Sequence, residues 1–441
     1  MKLLNVFIVL VLLQNCSFDN KTGIWKNEKN FSKKEKNIFK DFVTLGTENE
    51  TFNSIIPVDK NFNFKNTKAI NNYEWKDIYY DQSNNFTNLT YNNLNKLSFK
   101  SNKISRKTIN DYFLSENENI ITTDQSGNII VYSLKNKKVI AKYNFYKKKY
   151  KKVKKSLNIA IEENKIFVAD NIGYLYSFDY KENKVLWAKK YKVGFRSNIK
   201  ISKNKLITSS ENNDLIFFNK KNGDVIKLIP TEETIIKNQF VNNISINNNI
   251  SFFLNTYGSL YAINNEDMKI IWFLNLNQSL DLNPGNLFSG NQIVSDKNKI
   301  FVSTNQHTYI IEQISGTIIH RKNFSSEIKP IILNDYLSTI TKNDLLVLMD
   351  INSGKIIYSY DVNQMVANFL DVKKKKIEIK NIFFVNNKIM VLLKNSYVIY
   401  FNINGIIEDV FKLPSKINTN PIIINKTLLY FDFKNKLSVV D

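Results

Sequence analysis

The sequence predicts an all-β fold, an eight-bladed β-propeller whose blades are four-stranded antiparallel sheets. One observation is a phrase of short apolar runs that recurs eight times, about every 44 residues, which is the repeat length of one propeller blade. A second is that the last copy is one strand short, while an unpaired strand precedes the first copy. The residues that mark the register of the eight copies are Gly127, Gly173, Asn213, Gly258, His307, Asn343, Asn395 and Asn435.

Each copy of the phrase divides into four candidate strands. In the third copy these are residues 197–202, 205–209, 214–218 and 224–229. The runs are rich in Ile, Val, Phe and Tyr and are separated by Asn, Gly, Asp and Lys, the composition of short strands joined by turns. The first run of a copy is nearly all apolar, which is expected of an innermost strand that is buried on both faces.

The two ends of the repeat region predict how the ring closes. The final copy stops after residues 437–441, and the unpaired strand lies at about 97–104. Pairing these two segments would complete the last blade and remove its open edge. Eight blades are therefore predicted, although seven or nine are also compatible because one spacing is short and one is long.

The first residues predict export. Residues 3–13 are apolar apart from Asn5, a stretch too short to span a bilayer but suited to a signal peptide over residues 1–15. Cys16, the single cysteine, follows directly and resembles the acylated cysteine of a bacterial lipobox, although Asn15 departs from that pattern. This resemblance implies a lipid anchor on Cys16 facing the periplasm, and Ser17 favours the outer membrane. The alternatives are an incidental cysteine or a signal cleaved elsewhere.

The remaining chain divides into two predicted regions. Residues 16–95 are polar and rich in Lys and Asn, and we predict a tether followed by a tail that packs on the propeller. Apolar clusters at 55–57 and 62–64 are the candidate packing residues, and residues 39–45 are a candidate short helix. Residues 96–441 form the predicted propeller.

The net charge of +22 does not by itself indicate a nucleic-acid partner. The basic residues are spread over turns, and an exported protein does not routinely meet nucleic acid. Two lysine clusters are concentrated, at 147–155 and 373–376. They are explained either as solvated loops or as surfaces attracted to anionic lipid headgroups or an acidic partner.

No catalytic, cofactor-binding or metal-binding residue is predicted. The chain has two histidines, His307 and His320, in a turn and a strand of the fifth copy, and one cysteine. These are too few for a Cys–His or Ser–His–Asp arrangement or for metal-ligand spacing. A glycine-rich phosphate loop is also missing from the sequence. The predicted protein is not an enzyme.

The clearest copies, at residues 173–187 and 258–272, carry a recognisable motif. Gly-x-Leu-Tyr-x-x-Asp, with Asn264 in place of the Asp in the second copy, followed by Lys-x-x-Trp resembles the PQQ-type propeller repeat. The resemblance implies that Trp187, Trp272 and, in a weaker copy, Tyr358 pack between neighbouring blades. The motif is specific for the fold and carries little information about function.

Two classes of protein use this repeat. Quinoprotein dehydrogenases resemble the chain only in the repeats, and many have an adjacent cysteine pair that a single cysteine cannot supply. The BamB family of outer-membrane assembly lipoproteins resembles it from lipobox to eight-bladed propeller. Residues 72–89 also resemble the Trp-Pro-Gln-x-Gly-Gly-Asn-x-x-(His/Asn) element before the first blade in alphaproteobacterial members, with Tyr79 and Tyr80 in place of small residues.

The BamB resemblance implies a non-enzymatic scaffold, a monomer within a complex, that docks on the periplasmic domains of the barrel-inserting subunit. Unfolded outer-membrane proteins are a further candidate partner. The implied partner loop contains Val193, Phe195 and Arg196. Alternatively, Phe195 fills a gap between blades and Arg196 caps a turn. Other functions that remain open are a propeller that binds a small molecule or polysaccharide at its axis, and a relative of the PQQ-dependent dehydrogenases.

Overall fold

The computed structural model describes residues 51–146, 150–233, 240–277 and 288–441, and the backbone of two short strands near the N-terminus. The chain forms two compact units, residues 1–50 and 51–441. In the first unit β1 (Cys16–Phe18) pairs antiparallel with β2 (Trp25–Asn27), so that Cys16 lies opposite Asn27. The predicted signal peptide and the candidate helix at 39–45 lie outside the described residues.

The second unit is an all-β propeller of eight blades, as predicted. Before the first blade lie β3 (Asn88–Leu89) and β4 (Leu97–Lys100). Blade 1 consists of β5 (Leu114–Glu116), β6 (Asn119–Thr123), β7 (Asn128–Ser133) and β8 (Lys138–Asn144), and blade 2 of β9 (Leu157–Glu162), β10 (Lys165–Asp170), β11 (Tyr174–Asp179) and β12 (Lys184–Lys190). Blade 3 consists of β13 (Lys200–Ser202), β14 (Lys205–Ser209), β15 (Leu215–Asn219) and β16 (Val225–Ile229), and blade 4 of β17 (Asn243–Asn247), β18 (Ile250–Leu254), β19 (Ser259–Asn264) and β20 (Ile270–Asn275).

The second half of the ring repeats this arrangement. Blade 5 consists of β21 (Val294–Asp296), β22 (Lys299–Ser303), β23 (Thr308–Glu312) and β24 (Ile318–Lys322), and blade 6 of β25 (Ile331–Leu333), β26 (Tyr336–Ile340), β27 (Leu345–Asp350) and β28 (Ile356–Asp361). Blade 7 consists of β29 (Ile379–Val385), β30 (Lys388–Leu393), β31 (Tyr397–Phe401) and β32 (Ile407–Lys412). Blade 8 consists of β33 (Ile422–Ile424), β34 (Thr427–Phe431) and β35 (Leu437–Val440), and β4 is its fourth strand.

The strand directions give the propeller two different faces. The strands of each blade pair antiparallel, in chain order from the axis outward in blades 1 to 7 and with β4 as the outermost strand in blade 8. The connection from the outermost strand of one blade to the innermost strand of the next therefore always lies on the same side, which we call the connection face. The eight connections are residues 101–113, 145–156, 191–199, 230–242, 276–293, 323–330, 362–378 and 413–421, and those at 145–156, 230–242 and 276–293 are described only in part.

The ring closes through the N-terminal strand, as predicted. β4 pairs antiparallel with β35, with Phe99 opposite Val439 and Lys100 opposite Ser438. The eighth blade is therefore built from both ends of the repeat region, and the seven- and nine-blade alternatives are wrong. The closing strand ends at Lys100 and does not extend to residue 104.

Aromatic side chains on outermost strands lie against glycines of the next blade. The Trp187 indole Nε1 donates to the Lys220 carbonyl at 3.1 Å. Gly223 has φ +76°, and a Cβ at this position would lie 2.5 Å from the Trp187 ring. Trp272 of blade 4 repeats this geometry with Gly316 of blade 5. A glycine is needed in each turn because it permits both the left-handed backbone and the close approach of the ring.

The same contact occurs further round the ring with other aromatic residues. Tyr358 of blade 6 is fully buried, and a Cβ at Gly405 of blade 7 would lie 2.8 Å from its ring. His320 occupies the corresponding place in blade 5, where its Nε2 lies 3.0 Å from the Asn352 carbonyl oxygen of blade 6.

Residues 51–70 lie on blades 5 to 7. Phe52 packs against Phe324 with ring centroids 6.2 Å apart, and the Ile56 backbone exchanges hydrogen bonds with Ser359 in the outermost strand of blade 6. Phe64 is buried against aromatic residues of blades 6 and 7. This part of the predicted tether and tail is thus held by the propeller.

A helix, α1 (Val362–Leu370), occupies the connection between blades 6 and 7. It begins where the Asp361 side chain accepts a hydrogen bond from the Gln364 amide, and it ends at Asp371, which has a left-handed φ of 52°. These are ordinary N- and C-cap conformations. Among the described residues, no helix has the length and apolarity that crossing a membrane requires.

Candidate functional site

The axial channel is closed at the face opposite the connections by residues 72–92, which we call the plug. The plug contacts the innermost strand of every blade. Going round from blade 8, the contacts are Asn72 to Ile423, Trp75 to Ser115, Asp77 to Ala160, Asp77 to Lys200, Asn84 to Ile244, Ser83 to Ser295, Asn85 to Ile332 and Asn88 to Phe384. The segment before the first blade therefore belongs to the propeller and is its axial closure.

A buried ion pair fixes the plug to blade 3. The Lys200 Nζ lies 2.7 Å from the Asp77 carboxylate, with the lysine side chain 0% and the aspartate side chain 9% exposed. The same ammonium group donates to the Asp81 carbonyl and to the Asn84 side-chain oxygen, each at 2.6 Å. All three donors of Lys200 are thereby used, which is what a buried charge requires.

A second buried lysine reaches the plug from the connection before blade 6. The Lys329 Nζ donates to the carbonyl oxygens of Asn84 at 2.5 Å and Tyr79 at 3.1 Å. It also lies 3.4 Å from the centroid of the Phe86 ring, a cation–π contact. Burial lowers the pKa of Lys329 to about 7.

The plug has an aromatic interior. Trp75 is buried and lies 4.8 Å from Tyr80 and 5.8 Å from Phe86, measured between ring centroids. Phe86 in turn lies 4.8 Å from Phe383 of blade 7. Tyr80 has φ +99°, a conformation that favours glycine. This explains why the sequence element that residues 72–89 resemble has a small residue at this position.

Above the plug the axis is an open funnel. Its main cavity has a volume of about 770 Å³, and an adjoining lobe has about 320 Å³. The residues that line both parts are Ile78, Tyr79, Asp111, Tyr112, Asn291 and Gln292. Because the plug residues Ile78 and Tyr79 form its floor, the funnel is a blind cavity that opens on the connection face.

Tyr79 of the floor meets Tyr112, which lies in the connection between blades 8 and 1. The Tyr79 and Tyr112 rings meet edge to face with centroids 5.4 Å apart. Burial raises the pKa of Tyr79 to about 12, although hydrogen bonds from Gln292 and Asn243 act in the opposite direction and lower it. Burial raises the pKa of Tyr112 as well. Both phenols are therefore neutral at physiological pH and can donate or accept hydrogen bonds.

Some amides of the funnel wall serve to join blades. The Asn198 amide nitrogen donates to the Ile244 carbonyl at 2.8 Å, and its oxygen accepts from the Ile244 amide at 2.9 Å. The Asn243 oxygen likewise accepts from the Ile293 amide of blade 5 at 2.8 Å. These side chains continue the hydrogen bonding of the innermost strands across the gap between blades.

The predicted partner loop lies on the rim of the funnel. Phe195 is 2% exposed and packs against Tyr191 and Phe218, so its side chain belongs to the core between blades 2 and 3. Val193 and Arg196 are half-buried. The Arg196 guanidinium donates to the Phe240 carbonyl at 3.0 Å. The structure thus brings Val193 and Arg196 to the surface and turns Phe195 inward.

The two histidines have structural contacts. The His307 Nε2 lies 2.9 Å from the Arg321 guanidinium, and burial, with the Arg321 charge, lowers the pKa of His307. Within the described part of the chain, no three His, Cys, Asp or Glu side chains group as a metal site would require.

The buried lysines and the plug were not predicted from the sequence. The available signal was a lysine within an otherwise apolar innermost run, as in Ile328-Lys329-Pro330-Ile331. A lysine in a strand buried on both faces needs a specific partner. The sequence does not indicate that residues 72–92 supply that partner.

Fold and repeats define the chain as a PQQ-repeat β-propeller. Residues 147–360, which include blades 2 to 6, match the family model described as "Outer membrane protein assembly factor BamB". Over these residues the chain is similar to the BamB family, and its fold is that of a PQQ-repeat β-propeller. No curated protein sequence matches the chain.

Solved structures share the fold at low sequence identity. The crystal structure of BamB from Moraxella catarrhalis aligns with a TM-score of 0.62 and 12% identity, covering 78% of this chain and 99% of that one. A europium-containing methanol dehydrogenase gives 0.60 and 12%, covering 82% and 90%. A quinohemoprotein alcohol dehydrogenase from Comamonas testosteroni gives 0.58 and 10%, covering 81% and 76%. The fold is common to an assembly factor and to dehydrogenases.

Proposed function

We propose that the protein is a non-enzymatic scaffold of the machinery that assembles β-barrels in the outer membrane. It would dock on the periplasmic domains of the barrel-inserting subunit. The observation that carries this proposal is the family match over residues 147–360, which contain the rim loop with Arg196. Under this proposal Cys16 carries a lipid anchor that holds the protein at the periplasmic side of the outer membrane.

The rim loop is suited to docking because its backbone is held in place. The Phe195 amide donates to the Asp170 carbonyl and the Arg196 amide donates to the Ser209 carbonyl, both at 2.9 Å. Phe195 would position the loop from below, while Val193 and Arg196 contact the partner. An arginine can pair with a carboxylate through two hydrogen bonds, and a fixed loop loses little conformational entropy on binding.

The experiment is an affinity pull-down from solubilised membranes with mass spectrometry of the recovered proteins. We expect the native chain to recover a large outer-membrane barrel protein and Arg196→Glu to lose it. Arg106→Glu is a matched control, because Arg106 is exposed on the same face at the connection between blades 8 and 1. Equal recovery of the barrel protein by all three chains would support the scaffold function but show that Arg196 does not contribute to the contact. No barrel protein with any of them would contradict the scaffold itself.

A second candidate function is supported by the funnel. A blind cavity of about 770 Å³ with two neutral tyrosines in its lining has the size and donor set for a small neutral polar ligand, such as a short oligosaccharide. Calorimetric titration with neutral oligosaccharides would test this function, with Tyr112→Ala as the variant that removes part of the lining. Heat of binding that Tyr112→Ala abolishes would favour the ligand-binding function over the scaffold.

A further inference from the structure

The connection between blades 6 and 7 exposes apolar side chains next to a lysine cluster. Phe369 is 46%, Leu370 43% and Val372 57% exposed. The next four residues, 373–376, are lysines, and all four are exposed. Exposed large apolar residues in so short a segment require an explanation beyond a solvated loop.

The fold holds these apolar residues outward. Val362, Val366 and Ala367 are the buried side of α1, so the helix is fixed to the propeller by its other face. The left-handed cap at Asp371 and the hydrogen bond from the Val372 amide to the Ala367 carbonyl, 3.0 Å, set the turn that follows. The exposed side chains of Phe369, Leu370 and Val372 therefore lie on a turn whose backbone is held by the end of α1.

One lysine of the cluster has a local structural partner. The Lys374 Nζ lies 2.6 Å from the carboxylate of Asp361, the N-cap residue of α1. Lys373, Lys375 and Lys376 are exposed beside the apolar projection. The cluster therefore combines one capping contact with three lysines that can meet an external anion.

Other basic residues lie on the same face. The connection between blades 8 and 1 carries exposed Lys103, Arg106 and Lys107. The connection between blades 1 and 2 carries exposed lysines at 151, 152 and 154, with Val153 exposed among them. A basic face with projecting apolar residues complements a surface that is anionic outside and apolar beneath, which is the structure of an anionic bilayer.

We propose that this part of the connection face binds the surface of an anionic lipid bilayer. Phe369, Leu370 and Val372 would enter the headgroup region, and the three lysines would contact lipid phosphates. A bilayer is favoured over a protein partner because the apolar residues project from the surface and are followed directly by lysines. This contact does not depend on the proposed partner of Arg196.

Vesicle co-sedimentation of the full chain tests the proposal. All proteins carry Cys16→Ala, so that no acyl chain contributes and the remaining chain is identical. We expect binding to vesicles of phosphatidylcholine and phosphatidylglycerol in roughly three-to-one ratio, weak binding to phosphatidylcholine alone, and release by salt. Equal binding to both vesicle types, or none to either, would overturn the proposal.

Matched variants assign the binding to this segment. Lys373→Gln/Lys375→Gln/Lys376→Gln should weaken binding by at least about tenfold, since each surface lysine contributes on the order of fivefold. Lys135→Gln/Lys181→Gln/Lys184→Gln removes the same charge from exposed positions in or beside turns of the opposite face and should bind as the parent does. An equal loss in both triple variants would show a general charge effect and contradict the site.

A spin label separates insertion from simple attraction. Val372→Cys in the Cys16→Ala chain has one thiol, as has Ile314→Cys, whose native side chain is 68% exposed in a turn of the opposite face. On anionic vesicles the label at 372 should become accessible to oxygen and shielded from a water-soluble relaxation agent, while the label at 314 stays in water. A label at 372 that remains in water would overturn insertion.

Discussion

Lys200 is buried in the wall of the channel and has three partners in the plug, of which Asp77 is the charged one. Replacement of one member of such a pair leaves the other buried without compensation. Breaking this buried pair should therefore cost much more stability than breaking a surface pair. Lys203–Glu266 is such a surface pair, with side chains 68% and 66% exposed.

We expect Lys200→Met to lower the free energy of unfolding by about 3–5 kcal/mol, since it leaves the Asp77 carboxylate buried alone. Urea unfolding followed by circular dichroism measures this. Lys203→Met, which breaks only the surface pair, should cost less than about 1 kcal/mol. The double variant Lys200→Met/Asp77→Asn should recover part of the loss, and no recovery would mean that the charge of Asp77 is not the cause.

Lys329 makes stability rise with pH, as a salt-bridged carboxylate does, but in the neutral to alkaline range instead of the acid range. Its pKa is lowered to about 7 in the folded protein and is about 10.4 when unfolded. Between these values the unfolded chain binds more protons, so stability should rise with pH by up to about 1.4 kcal/mol per pH unit. Below pH 7 both states are protonated and this contribution levels off.

The measurement is urea unfolding from about pH 6 to pH 9.5, below the range where the tyrosines titrate. The difference in unfolding free energy between the native chain and Lys329→Met isolates this group, because the remaining titrations are common to both. A difference that stays constant across the range would show that Lys329 keeps its ordinary pKa in the folded protein.

At the scale of elements, the strands could be predicted where a local pattern determines them. The prediction for residues 205–209 agrees with β14 (Lys205–Ser209), and that for 214–218 differs from β15 by one residue. The predicted strand at 197–202 is shorter in the structure, beginning at Lys200. The Ser197 hydroxyl accepts from the Ser209 amide at 2.7 Å and the Asn198 amide binds Ile244, so side-chain hydrogen bonds replace part of the ladder there.

The contact of Trp187 with Gly223 makes neighbouring blades depend on each other. Gly223→Ala should lower the free energy of unfolding by about 1–3 kcal/mol, because the added Cβ meets the indole ring and the backbone is left-handed. Lys221→Ala, at an exposed position of the same turn, should change it by less than about 0.5 kcal/mol.

A double-mutant cycle with Trp187→Ala tests the mechanism. Once the ring is removed, Gly223→Ala should retain only its backbone cost, so the two effects should be clearly non-additive. Additive effects would place the strain in the turn itself and would contradict the packing between blades 2 and 3.

At the scale of the whole molecule, the ring could be predicted but its axial closure could not. The number of blades follows from the repeat length of about 44 residues, and the closing strand follows from the strand that the last copy lacks. The plug has no such pattern, because its partners range from Ser115 to Ile423 and each contact joins residues far apart in sequence. The rim loop shows the same limit. The sequence predicts Phe195 and Arg196 as parts of one contact surface, but the packing of blades 2 and 3 buries the Phe195 side chain and leaves Arg196 half-buried at the rim.

Ring closure by β4 and β35 predicts that the propeller unfolds as one unit. Removal of residues 437–441 would delete β35 and separate β4 from β34, leaving blade 8 with an open edge. We expect the truncated chain to lose its single cooperative transition in thermal unfolding and to associate in gel filtration, since open edges pair with other chains. Removal of residues 1–50, a separate compact unit, is the control and should preserve the transition. A cooperative, monomeric protein without residues 437–441 would show that the blades are stable without closure, and the contacts between neighbouring blades and the plug would then be sufficient to hold the ring.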